Sequence, residues 1–97
     1  MVKQIVLSLN AEKDRLSILE YYNESTGNNK YSLKLFNILT DAFETISNFP
    51  YSGKKLKRNN HFVFTIKHYN IIYKIEINFI VILHIWDTRQ NPENLPL

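Results

Sequence analysis

The stretch that decides the fold is His61 to Trp86, HFVFTIKHYNIIYKIEINFIVILHIW, in which apolar residues recur at every second position. A period of two places successive side chains on opposite faces of a β-strand. The first alternating run, Phe62 to Ile66, is interrupted near Lys67–His68, and a second break follows near Glu76–Asn78. Because breaks this short join antiparallel neighbours, the stretch predicts a three-stranded meander.

The two later strands of this meander differ in character. In the run Tyr69 to Ile75, large apolar side chains alternate with Asn70, Ile72 and Lys74. The run Phe79 to Trp86 is apolar on both faces, which is typical of a central strand that is covered on both sides. We therefore expect the last strand to lie in the middle of the sheet, with a partner over part of its open face.

Upstream of the meander, the pattern changes to a strand and a helix. Val2 to Leu7 is short and rich in β-branched residues, so it predicts a first strand. Helical spacing follows over residues 11–25, with Ser8 and Asn10 both able to cap the helix N-terminus. Gly27 is the expected left-handed C-cap of this helix.

A second helix is predicted from apolar residues that recur every three to four positions between Leu35 and Phe49, and Pro50 ends it. The chain therefore reads as one α+β domain over residues 1–97 with the order β-α-α-β-β-β. A helical hairpin should pack on one face of a mainly antiparallel four-stranded sheet. The tail, Gln90 to Leu97, carries two prolines and should be extended.

Composition narrows the class of protein. The chain has no cysteine, which excludes disulfides and thiolate metal sites. The opening MVKQIVLSLN is not expected to be a signal peptide, and the longest apolar run, Phe79 to Ile85, is too short to span a bilayer. We expect a cytoplasmic protein with no membrane partner.

Positive charge is concentrated in the second half of the chain. Residues 1–53 hold 5 Lys/Arg and 6 Asp/Glu, whereas residues 54–97 hold 7 Lys/Arg and 3 Asp/Glu. Four of these cations, here called the basic cluster, are Lys54, Lys55, Lys57 and Arg58. Such a cluster attracts nucleic acid or an acidic protein. A solvated loop without a ligand fits the same sequence equally well.

No common catalytic motif is present. The only glycines are Gly27 and Gly53, so no phosphate-binding glycine loop exists, and His61, His68 and His84 lack metal-ligand spacing. The sequence predicts no metal and no cofactor.

Arg89, just after the last strand, is the most informative polar residue. If Arg89 and the basic cluster converge, they form an anion site at which RNA could be cleaved without metal, with His84 or His61 as the base. The alternative is that Arg89 pairs with Asp87 or with a carboxylate of a partner. The aromatic side chains of Tyr73 and Trp86 could stack bases, but at alternating strand positions they favour a core or protein-interface role.

The chain resembles the RelE/ParE superfamily of toxins over nearly its whole length. The resemblance rests on an early helix that begins Ser-Leu-Asn-Ala, on Ile46–Gly53 (ISNFPYSG), on Tyr69–Ile75 (YNIIYKI) and on Ile80–Arg89 (IVILHIWDTR). It implies the toxin of a type II toxin–antitoxin, or plasmid stabilisation, system. Such a growth inhibitor would form a hetero-oligomer with its cognate antitoxin.

The resemblance also implies one of two targets: DNA gyrase for ParE-like members, or mRNA on the ribosome for RelE-like nucleases. The nuclease pattern is incomplete, because Asn70 stands where those enzymes have a basic residue, and Phe62 to Ile66 contains none. The His-Tyr pair that some nucleases carry near the C-terminus is also missing, and only Arg89 maps onto a catalytic arginine. We therefore favour gyrase inhibition by binding over a metal-independent endoribonuclease. A member without toxicity is the third possibility.

The resemblance and the charge pattern together nominate candidate site residues. Arg89 and His84 are the catalytic candidates if the chain is an enzyme. Candidates for binding nucleic acid or the target are Lys54, Lys55, Lys57, Arg58 and Lys67. Candidates for binding the antitoxin are Tyr73, Trp86 and Arg89.

Overall fold

The computed structural model describes residues 2–89, so the predicted extended tail from Gln90 to Leu97 lies outside the described residues. The elements in chain order are β1 (Gln4–Leu7), α1 (Leu9–Thr26), α2 (Lys30–Asn48), β2 (Lys54–Lys55), β3 (His61–Ile66), β4 (Tyr69–Ile75) and β5 (Phe79–Asp87). The predicted α+β class and order of elements are confirmed. Within the described part of the chain, neither helix has the length and hydrophobicity needed to cross a membrane.

The sheet has five strands in the order β1-β5-β4-β3-β2. β1 runs parallel to β5, and the other neighbouring strands are antiparallel. The sheet therefore has one strand more than the four expected. The additional strand is β2, a two-residue edge strand that carries Lys54 and Lys55. β5 lies between β1 and β4, which confirms its predicted central position.

Ser8, not Asn10, caps the first helix. The Ser8 hydroxyl accepts the backbone N–H of Ala11 at 3.1 Å and donates to the carbonyl of Leu83 at 2.9 Å. It therefore ties the start of α1 to the central strand. At the other end Gly27 has a φ of 73°, the left-handed conformation predicted for a C-cap.

One face of the sheet is covered by the helical hairpin. Leu35, Leu39 and Ile46 of α2 are buried in one cluster with the alternate residues of β4 and β5. Phe49, expected at the end of this apolar stripe, is instead 66% exposed, because α2 ends at Asn48 and the chain turns away.

The other face of the sheet, here called the open face, is shaped by a bulge. In the ladder between β4 and β5, Ile72 pairs with His84 and Tyr73 pairs with Ile82, so Leu83 is an extra residue. Ile82 and Ile85 both lie in the core cluster, whereas Leu83 and His84 are adjacent and both outside it. The bulge therefore shifts the alternation and places a histidine on the open face.

Candidate functional site

A cleft of about 960 Å³ lies on the open face, between the loop before β3 and the bulge of β5. We call it the basic cleft, because its polar lining includes Lys57, Arg58, Lys74, His61 and His84. Its apolar lining comes from Leu56, Ile72 and Leu83. Among the described lining residues there is no carboxylate, so the field inside the cleft is positive.

The loop that carries Lys57 and Arg58 is held by backbone hydrogen bonds at both ends. Leu56 N–H donates to the carbonyl of His61 at 2.9 Å, and His61 N–H donates to the carbonyl of Arg58 at 3.2 Å. Asn60 has a φ of 61° and its carbonyl accepts the N–H of Ile75 at 2.9 Å. The backbone that carries the two cations is thus held against the end of β4.

A second anchor lies just before this loop. The Tyr73 hydroxyl donates to the carbonyl of Pro50 at 2.7 Å and accepts the N–H of Gly53 at 3.1 Å. A Cβ on Gly53 would lie 2.6 Å from that hydroxyl oxygen, so only glycine fits here. Burial raises the pKa of Tyr73, so its hydroxyl stays protonated and can donate.

His84 stands beside a carboxylate from α1. Asp14 Oδ2 accepts the N–H of Ile85 at 3.0 Å and lies 3.6 Å from Nδ1 of His84. Asp14 therefore accepts a backbone hydrogen bond from β5 at a position that lies beyond its pairing with β1. It also gives one nitrogen of the imidazole an acidic neighbour.

Arg89 belongs to a different constellation, here called the arginine network, formed by Arg89, Asp87 and Tyr22. Its Nε and Nη2 donate to the two carboxylate oxygens of Asp87 at 3.0 and 2.8 Å, and Nη2 also donates to the Tyr22 hydroxyl at 2.8 Å. The hydrogen bonds from Arg89 lower the pKa of Asp87, and Asp87 in turn raises the pKa of Arg89. This pairing is the alternative that the sequence left open for Arg89.

Tyr69 lines the same depression as the arginine network. The pKa of Tyr22 is lowered, chiefly by its interaction with the Tyr69 hydroxyl and then by Arg89. Burial, followed by the same interaction with Tyr22, raises the pKa of Tyr69. The arginine network thus links α1 to the end of β5, and Tyr69 extends this link to the start of β4.

The loop that carries Lys57 and Arg58 lies at the opposite end of β4 from the arginine network. Asp87 pairs with Tyr69 at the start of β4, whereas His61 pairs with Lys74 near its end. Tyr69 and Lys74 are five positions apart along β4, roughly 17 Å at the usual rise per residue. The convergence of Arg89 with the basic cluster, on which the sequence-based nuclease site depended, does not occur in this structure.

The sequence matches a family model described as the ParE toxin of the type II toxin–antitoxin system, parDE, over residues 5–92. The chain belongs to the ParE toxin family. A search among curated proteins found no match.

Two solved structures share the fold of this ParE-family chain. A chain of the chromosomal ParDE system from P. aeruginosa matches with a TM-score of 0.79 at 14% identity, covering 91% of this chain and 98% of that one. A chain of the toxin–antitoxin complex RelBE2 from Mycobacterium tuberculosis matches with a TM-score of 0.66 at 20% identity, covering 90% and 99%. At these identities the likeness concerns the fold alone.

The predicted target-binding residues of this ParE-family toxin are divided between the two ends of the sheet. Lys57 and Arg58 line the basic cleft, and Lys54 and Lys55 lie exposed on β2 beside it without lining it. Lys67 has a φ of 56° in the turn between β3 and β4, at the end where the arginine network lies. The basic cluster therefore contributes two cations to the cleft and two to the edge strand β2.

The two aromatic candidates for antitoxin binding have different environments. Tyr73 is 0% exposed and its hydroxyl is bonded within the fold, so a direct contact between this side chain and a partner does not fit the structure. Its role is to anchor the loop. Trp86 is half-buried and pairs with Asn70 on the open face, where a partner could reach it.

Three residues of these sites were missed by sequence reasoning: Lys74 in the cleft, Asp14 beside His84, and Tyr22 on Arg89. Lys74 could have been found, because strand alternation places it opposite the core residues of β4. Asp14 and Tyr22 contact residues about seventy positions away, and no local pattern signals such a contact. Within residues 2–89, no three His, Asp or Glu side chains group as a metal site would require.

Proposed function

We propose that this toxin stops growth by binding DNA gyrase, as a ParE-like inhibitor, and that a cognate antitoxin neutralises it. Membership of the ParE toxin family makes the chain the toxin component of a type II toxin–antitoxin system. The choice of gyrase as the target, and of binding as the mode of action, is the proposal.

The observation that carries the proposal is the state of Arg89. A transition state with extra negative charge needs several cations aimed at one point. Arg89 is instead occupied by Asp87 and Tyr22, and it stands away from the basic cleft. A chain whose one catalytic arginine candidate is paired and isolated fits a binder better than a nuclease.

The open face supports a protein partner. Val6 and Phe79 are large apolar residues with 40% and 37% of their surface exposed, and they lie on the neighbouring strands β1 and β5. Exposed apolar side chains on neighbouring strands can contribute to a protein-binding surface. The two similar structures come from a toxin–antitoxin system and a toxin–antitoxin complex, so we expect a toxin–antitoxin hetero-oligomer here.

The test is a supercoiling assay with purified gyrase. The toxin should inhibit supercoiling, and addition of the antitoxin encoded beside it should restore the activity. Supercoiling that is unaffected by a toxin that arrests growth in cells would refute the gyrase target.

A ribosome-dependent mRNA endonuclease is the second candidate, favoured by one observation. His61 and His84 both line the basic cleft, together with Lys57, Arg58 and Lys74. Histidines beside cations can move protons during phosphodiester cleavage without metal. Mapped mRNA 5′ ends that cluster within codons after induction would establish this activity, whereas unaffected growth would indicate a member without toxicity.

A further inference from the structure

We infer that the basic cleft binds the phosphate of a nucleotide, with the sugar and base lying over its apolar lining. This goes beyond gyrase inhibition, because it assigns a nucleotide ligand to the basic cleft and does not require gyrase. A free nucleotide and a nucleotide within a single strand offer the same chemistry to the cleft.

The charge of the cleft selects an anion. Lys57 and Arg58 are exposed side chains, and within residues 2–89 neither forms an ion pair. Lys74 is paired with Glu76 at 3.0 Å, so it contributes less charge than the other two. An arginine and a lysine side by side offer the guanidinium fork and the ammonium donor with which proteins bind phosphate.

The backbone that carries the two cations is ordered before any ligand arrives. The loop of Lys57 and Arg58 is closed by the hydrogen bonds of Leu56 and His61, and Asn60 fastens it to β4. The turn at Gly53, which precedes this loop in the sequence, is held by the Tyr73 hydroxyl. A ligand therefore does not have to order this backbone, and the entropic cost of binding is lower than for a flexible lysine loop.

The size and lining of the cleft argue for a nucleotide rather than a bare anion. Its volume of about 960 Å³ falls at the upper end of ligand pockets, which span roughly 300–1,000 Å³. Leu56, Ile72 and Leu83 supply apolar surface on which a sugar and base could lie. The amides of Asn59 and Asn60, also in the lining, can hydrogen-bond base edges.

The experiment measures equilibrium binding to the full-length toxin by fluorescence anisotropy, without gyrase. The probes are a fluorescent ATP analogue and 5′-labelled single strands of RNA and DNA with matched sequence, with unlabelled ATP and GTP as competitors. The test variant is Lys57→Glu with Arg58→Glu. The matched control is Lys30→Glu with Lys34→Glu, which makes the same change in net charge on exposed positions of α2.

The test variant should bind its probe about tenfold more weakly or worse, because it removes charge-assisted hydrogen bonds, and the control should bind like the wild type. Binding of the ATP analogue would identify a free nucleotide as the source, and binding of the strands alone would identify a nucleic acid. Circular dichroism and thermal unfolding establish that both variants are folded.

Three results would overturn the inference. One is the absence of binding to every probe, and another is an equal loss in the control, which would mean that only net charge matters. The third is displacement of the probe by an oligoglutamate peptide at lower concentration than by ATP, which would indicate an acidic protein segment as the ligand. Because gyrase is absent, failure here leaves the gyrase proposal intact, and failure of the supercoiling assay leaves this one intact.

Discussion

The hydroxyl of Tyr73, in the middle of β4, lies 3.1 Å from the backbone nitrogen of Gly53 in the turn that follows α2. The same hydroxyl donates to the carbonyl of Pro50, so one buried phenol holds both ends of this turn. The turn leads directly into the strand and loop that carry the basic cluster. A core side chain thereby holds the backbone from which the exposed cations project.

Tyr73→Phe should destabilise the fold and loosen the turn. The change keeps the ring but leaves the Pro50 carbonyl and the Gly53 N–H without their partner, which typically costs roughly 1–3 kcal/mol. The free energy of unfolding from urea denaturation measures the loss. A variant as stable as the wild type would show that water replaces the phenol and that the anchor is dispensable.

Gly53→Ala should also destabilise, for a steric reason. Its Cβ would stand 2.6 Å from the Tyr73 hydroxyl oxygen and 2.8 Å from the carbonyl oxygen of Val63. In the Tyr73→Phe background the first clash disappears and the second remains. A double-mutant cycle should therefore show that the two effects are less than additive. Full additivity would contradict the proposed contact.

Ser8→Ala should cost about 1–2 kcal/mol of stability, since it removes the N-cap of α1 and a link to Leu83 of β5. Asn10 provides the control, because it was the rival cap in the sequence but lies exposed within α1. Asn10→Ala should be neutral or slightly stabilising, since alanine is the better helix former. Urea denaturation of both variants decides between the two caps, and a larger loss for Asn10→Ala would contradict the assignment.

Asp87→Asn should lower stability in a pH-dependent way. The folded-state pKa of Asp87 is lowered by Arg89, so its contribution is present above its unfolded pKa of about 4 and is lost as the pH falls through the lowered value. Arg89 is 52% exposed and water screens the pair, so the loss at neutral pH should be only about 0.5–1 kcal/mol. Unfolding curves at several pH values should show wild type and variant converging below about pH 4. A constant difference down to pH 2 would contradict the ion pair.

Local sequence patterns predicted most of this fold, whereas features that depend on contacts between distant positions could not be predicted. The period-two run from His61 to Trp86 defined the meander, and Gly27 and Pro50 marked the helix ends, because each of these signals acts on neighbouring residues. The bulge at Leu83 could not be read, since an extra residue leaves the apolar run unbroken.

The candidate site was less predictable than the fold. Lys57 and Arg58 were identified from charge alone, but their place at the opposite end of the sheet from Arg89 follows from the register of β3 on β4. Tyr73 was assigned to an interface because alternation does not distinguish a buried tyrosine from a partner-facing one. Its burial depends on the turn at Gly53, twenty residues earlier.

Arg89→Ala separates the two candidate functions most sharply. The side chain is exposed and its partners are Asp87 and Tyr22, so its removal should leave the toxin folded. If the toxin acts by binding gyrase, Arg89→Ala should leave its toxicity unchanged. If it is a nuclease that needs the positive charge of Arg89, the variant should lose its toxicity even though the basic cleft is unchanged.

The measurement is growth arrest after induction, with equal protein levels verified by immunoblot and antitoxin affinity measured in parallel. Arg89→Lys is the matched variant, because it keeps the charge and loses the paired hydrogen bonds to Asp87. We expect both variants to be toxic. If Arg89→Ala is folded and harmless while Arg89→Lys is toxic, a cation at this position is required. A mode of action that leaves Arg89 paired with Asp87 would then be excluded, because the arginine network would have to open when the target binds.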